Sequence, residues 1–81
     1  MDRMDLAILH SLWVDHEAVT GMSAVTQRTI FEKIGISEST LHRRLSHIVA
    51  VGYAAKGFSE DRCLTYYITQ EGINLLEEAL T

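Results

Sequence analysis

Apolar residues recur at helical spacing along residues 3–14 (RMDLAILHSLWV), and Asp2 stands where an N-cap belongs. On a helical wheel Met4, Ile8 and Leu12 form one stripe, while Leu6, Leu9 and Trp13 form another roughly opposite. One stripe can face the domain's own core; a second needs another partner. Residues 15–21 read as a loop ending at Gly21, and Met22–Val25 as a short strand. Thr26 is a candidate N-cap for a short helix over 27–34 (QRTIFEKI), in which Ile30, Phe31 and Ile34 share a face. Gly35 suits the left-handed position that stops it. Ile36 reads as a buried turn residue, and Ser37 as the cap of a helix from Glu38 to Val51, stopped by Gly52. Leu41, Leu45, Ile48 and Val49 make one continuous apolar stripe along it.

After Gly52 the period changes to two. Tyr53–Phe58 and Arg62–Ile68 read as paired strands joined by the polar turn Ser59-Glu60-Asp61, with Leu64, Tyr66 and Ile68 on one face. Thr69 can cap a final helix over 70–80, where Ile73, Leu76 and Leu80 form a stripe flanked by Leu75 and Ala79. Glu71 near its start suits the helix dipole. The predicted order is α-β-α-α-β-β-α, mainly α with a small β-hairpin (α+β).

Size and composition fit one domain over residues 1–81. Hydrophobic residues make up 47% and charged residues 22%, as in an ordinary globular chain rather than a disordered tail. A chain this short buries a modest share of its surface, so its stability margin is thin. Cys63 is the sole cysteine and can form no intrachain disulfide, which fits a reducing cytoplasm. No stretch approaches the ~18 apolar residues of a membrane span, and no basic segment precedes an apolar run at the start. The expectation is a cytoplasmic protein without membrane contact.

Net charge is −4, which taken alone argues against a polyanionic partner. Its distribution changes that picture. Residues 28–62 hold six of the seven basic side chains (Arg28, Lys33, Arg43, Arg44, Lys56, Arg62) against Glu32, Glu38, Glu60 and Asp61. The two ends hold only Arg3 against seven acids. A basic middle between acidic ends is what a local phosphate-binding surface needs.

The segment VTQRTIFEKIGISESTLHRRLSHIVAVGY resembles the helix-turn-helix core of winged-helix regulators such as the MarR and PadR families. The carrying features are the Gly35-Ile36-Ser37 turn, Thr40-Leu41, Arg43, and the Gly52-Tyr53 exit into a hairpin. Asp61-Arg62, six further residues and then Thr69-Gln70-Glu71-Gly72 look like the wing arginine and the following helix entry of MarR proteins. The likeness covers roughly residues 22–80. It implies a winged helix-turn-helix that binds double-stranded DNA and pairs as a homodimer through terminal helices.

The physics of such a site can be read independently. A recognition helix must bury one stripe to be held rigidly and expose a polar one to reach base edges. Opposite the Leu41 stripe lie Ser39, Arg43, Ser46 and His47, with Thr40 on the margin and His42 and Arg44 on the flanks. Short hydroxyls permit close approach, and one long arginine can contact guanine bidentately. Arg43 is therefore expected at a base, and Arg44 and Arg28 at the phosphate backbone. The full expected DNA-contact set is Arg28, Ser37, Ser39, Thr40, His42, Arg43, Arg44, Ser46, His47, Lys56 and Arg62. Arg62 matches the wing position that enters a minor groove, which attracts arginine. Glu60 and Asp61 beside it would repel phosphates, so the sequence leaves wing contact open.

Other chemistry finds little support. His42 and His47 are five apart and His10 and His16 six apart, neither being the spacing that puts two metal ligands on one helix face. Cys63 reads as a small packing residue of a strand rather than a redox sensor. No nucleophile–base arrangement, paired catalytic carboxylates or glycine-rich phosphate loop is present, so neither an enzyme nor a cofactor is expected. The leading expectation is a sequence-specific, DNA-binding transcriptional regulator, a homodimer through residues 3–14 and 70–80. The alternatives are a winged-helix protein-interaction module, and a DNA-binding protein of plasmid or phage maintenance.

Overall fold

The computed structural model describes residues 1–58 and 63–79; the predicted turn Ser59-Glu60-Asp61 and the last stripe residue, Leu80, lie outside them. The chain begins with α1, Arg3–His10, which runs on into a π-helical turn over Ser11–Asp15. Asp2 caps α1 as expected, its side chain accepting from the Asp5 backbone N–H. The π turn is closed by the His16 N–H donating to the Ser11 carbonyl, and it buries both Ser11 and Leu12. A loop then folds back, with Thr20 and Ser23 hydrogen-bonded to each other through backbone and side chains. Ala18 is buried in this loop, and its carbonyl accepts from the Ile68 N–H.

The remaining elements are β1 (Val25–Thr26), α2 (Gln27–Ile34), α3 (Glu38–Ala50), β2 (Ala54–Lys56), β3 (Thr65–Ile68) and α4 (Gln70–Ala79). Each predicted cap is in place. Thr26 accepts from the Thr29 N–H, Ser37 from the Thr40 N–H, and Thr69 from the Gly72 N–H. Gly35 ends α2 at φ +79°, where any side chain would strain against its own backbone. The strands form one antiparallel sheet in the order β1-β3-β2, with Val25 opposite Tyr66 and Ala54 opposite Ile68. The architecture is the predicted winged helix-turn-helix, mainly α with a small sheet.

Three details depart from the sequence reading. The first strand is only Val25–Thr26, and Met22, expected to begin it, is 89% exposed. The hairpin strands are shorter than predicted, so Leu64 lies outside β3 and is exposed rather than on its buried face. Cys63 is also exposed and precedes β3, correcting its reading as a strand packing residue. Met22 and Leu64 share one cause: β1 and β2 each pair with β3 over only two or three residues, and apolar side chains outside those strands have little sheet to lie on.

The core joins every helix to the sheet. Ile8, Leu9 and Leu12 of the first helical segment, Ile30 of α2, Leu41, Leu45 and Ile48 of α3, Tyr66 and Ile68 of β3 and Leu76 of α4 are buried together. Two opposite stripes suggest that one of them needs an outside partner, yet Leu9 of one stripe and Ile8 and Leu12 of the other are all fully buried within the chain. Of the two stripes only Met4, Leu6 and Trp13 remain half-buried, at the edge of the cluster.

Candidate nucleic-acid interface

The candidate surface is the outer side of α3. Its inner side is fixed by Leu41, Leu45 and Ile48, all fully buried, so the helix has little freedom to roll. Its first turn is fixed by Ser37, which accepts from the Thr40 N–H and donates its own hydroxyl hydrogen to Thr40 Oγ1 at 2.8 Å. Ser39, His42, Arg43, Ser46 and His47 are left exposed and Thr40 half-buried. These are the residues that the wheel places opposite the apolar stripe and on its flank. Arg43 forms no ion pair among the described residues, so its guanidinium is available. It shares a shallow groove with His47, Arg44 and Asp5.

Arg28 stands on α2 with 82% of its side chain exposed, and Glu32 one turn on lies 3.7 Å from its Nε. An exposed pair of this kind holds an arginine only weakly. Lys56 is exposed at the end of β2, on the hairpin. Arg62 lies outside the described residues, as do Glu60 and Asp61 beside it.

Arg44 is the residue whose placement differs most from expectation. Its side chain is turned toward the start of α1, where Nη1 donates to Asp2 at 2.7 Å and to Asp5 at 3.1 Å. The Asp2 oxygen that caps α1 is itself one of its partners. One guanidinium thus links the N-terminal cap of α1 to the middle of α3, and pairs with two carboxylates, of which Asp5 lies in the groove shared with Arg43 and His47. The hydrogen bond from Arg44, seconded by the Asp5 N–H, holds the Asp2 carboxyl below its ordinary value of 3.8. A depressed carboxyl stabilises the fold above its unfolded value, and that contribution is lost as pH falls through the folded one. Arg44→Ala is therefore expected to lower stability at neutral pH and to flatten the acid limb of the stability curve. Urea denaturation of both proteins at neutral pH and well below pH 3.8 checks this: the gap between them should narrow in acid.

Gln27 is the functional candidate that sequence reading missed. At the start of α2 it donates from Nε2 to the Glu38 carbonyl at 3.3 Å, and its Oε1 lies 3.1 Å from His42 Nδ1. Nothing in a one-dimensional pattern signals either this bridge or the Arg44 clamp, because the partners are 11 to 42 positions apart. Among the described residues no group of three or more His, Cys, Asp or Glu side chains is placed to hold a metal ion. No described helix is long and apolar enough to cross a membrane.

No family model matches the chain, and no curated protein matches it by sequence. Solved structures do. TubR from Bacillus megaterium pBM400 superposes with a TM-score of 0.86 at 19% identity, over 99% of this chain and 87% of that one. A complex of Staphylococcus aureus MepR with DNA gives 0.82 at 16% identity, over 99% of this chain and 62% of that one. A double mutant of Lactococcus lactis ZitR gives 0.75 at 17% identity, over 99% of this chain and 51% of that one. The chain therefore spans only about half to two-thirds of MepR and ZitR, while matching TubR over most of its length. At these identities the likeness is one of architecture: the chain shares its winged helix-turn-helix fold with TubR, MepR and ZitR.

Proposed function

We propose that the protein binds double-stranded DNA by inserting α3 in the major groove, and that it acts there as a non-enzymatic, cytoplasmic transcriptional regulator. The observation that carries this reading is the outer side of α3: Ser39, Arg43, Ser46 and His47 exposed on a helix whose inner side is locked. A helix so held can enter a groove without an ordering cost at the moment of binding. The same fold has been solved in complex with DNA in MepR. Arg43 reads a base, and Arg28 and Lys56 lie on phosphates. Arg44 acts behind them by removing the negative charge of Asp2 and Asp5. Ser37 serves mainly as the helix cap, and Thr40 as its partner.

A two-fold homodimer fits this reading, because it would present two copies of α3 to two half-sites one helical turn apart. The available surface is a groove between α1 and α4 lined by Leu6, Ala7, His10, Leu76 and Ala79. The net charge of −4 favours a different reading, in which the fold serves as a protein-docking module.

Fluorescence anisotropy with random duplex across a salt series separates the two. Binding is expected to weaken steeply with salt, as counterions released from phosphates are replaced. Arg43→Ala should weaken binding about ten- to hundredfold with the protein still folded. Absence of binding at low salt, and of any enriched site after selection from a random duplex library, would leave the docking module as the better reading.

A further inference from the structure

Gln27 places one planar amide across the first two turns of α3. Its nitrogen faces the Glu38 carbonyl oxygen at 3.3 Å, and its oxygen faces His42 Nδ1 at 3.1 Å. The hydrogen positions follow from chemistry. A carbonyl oxygen only accepts, so the end of the amide at Glu38 must be the nitrogen. The end at His42 is then the amide oxygen, which also only accepts, so the hydrogen between them belongs to His42 Nδ1. A neutral imidazole carries one ring hydrogen. With Nδ1 holding it, Nε2 is bare, and this nitrogen belongs to a side chain exposed near the start of α3.

We propose that Gln27 locks neutral His42 in its Nδ1–H tautomer, so that Nε2 selects an amino-bearing base, adenine or cytosine, in the major groove. The proposal rests on the DNA-binding reading above. Adenine N6 and cytosine N4 offer N–H donors in that groove, whereas guanine O6 and N7 and thymine O4 offer only lone pairs. A bare Nε2 attracts the first set and repels the second. Gln27 is a positioning residue in this scheme: it touches His42 and α3, and acts on the DNA only through the ring. Released from Gln27, the imidazole takes either tautomer and can donate through Nε2 to guanine or thymine, so the selection is lost.

Long-range proton–nitrogen NMR correlation of the free protein at about pH 8, where an ordinary imidazole is neutral, reads the tautomer directly. The Nδ1–H form is expected in the wild type, with a shift toward Nε2–H in Gln27→Leu. An Nε2–H wild type overturns the lock. Selection from a random duplex library should show about tenfold preference for adenine or cytosine at one position. Gln27→Leu should keep binding duplex but lose that preference, and equal selection by the two proteins overturns the base-reading role. A wild type that binds no duplex overturns the DNA reading together with the base preference, while the spectra of the free protein still decide the lock.

Discussion

Leu45→Ala is expected to lower the unfolding free energy by about 2–5 kcal/mol, the range for emptying a buried leucine site whose surroundings relax only in part. Leu45 is fully buried midway along the inner side of α3, and joins a cluster drawn from all four helices and β3. A domain of this size has about 5–15 kcal/mol to lose, so this one truncation removes a large share. The effect reaches function by a physical route. The outer side of α3 is held still only because its inner side is packed, and a cavity beneath it lets Arg43 and His47 wander. Urea denaturation checks the energy. Leu45→Met, which nearly conserves volume, should cost less than about 1.5 kcal/mol and retain any DNA binding. A loss below about 1 kcal/mol for Leu45→Ala would mean that this stripe does not anchor α3.

What could be read from sequence and what could not divide by distance along the chain. The caps Asp2, Thr26, Ser37 and Thr69 each act on a backbone N–H three residues away, so the local pattern shows them. The buried stripe of α3 follows from helical period alone, and so does its polar opposite face. Strand ends were less legible, because a strand stops where its partner stops, and that partner is remote in sequence: β1 meets β3 about 40 residues later. Leu9 shows the same limit, since a second apolar stripe can be covered by the chain's own later elements as well as by another molecule. Charge misleads most. Arg43 and Arg44 are adjacent and chemically identical, yet the fold leaves the first exposed and commits the second to Asp2 and Asp5. The acidic N-terminal end and the basic middle look like separate features along the chain. Through Arg44 the fold joins them into a single ion-paired cluster.

Gly72→Ala sets two effects of opposite sign against each other, and the outcome is expected to be destabilisation. Gly72 is the third residue of α4, and in a helix alanine is favoured over glycine by about 1 kcal/mol. From sequence alone the substitution should help. The structure shows why it should not. A Cβ built on Gly72 would strike the Tyr53 carbonyl oxygen and approach Ile68 Cγ1 at 2.7 Å. Neither neighbour can yield easily. The Tyr53 carbonyl is backbone and already accepts from the Thr69 N–H at 3.1 Å, and Ile68 is fully buried in β3. The first turn of α4 would have to lift from the sheet, loosening the Thr69 cap and drawing Leu76 from the core. Overpacking of this kind costs about 1–3 kcal/mol, enough to outweigh the propensity gain. Each kcal/mol lowers Tm by about 4–8 °C in a domain of this length, so thermal melting resolves the sign. Asn74→Ala, on the exposed side of the same helix, is the control and should change Tm little beyond losing its bond to Gln70. A Gly72→Ala protein that melts at or above the wild-type temperature would show that α4 does not sit this close to Tyr53. Glycine at the fourth place of Thr69-Gln70-Glu71-Gly72 would then reflect something other than the close approach of helix to sheet.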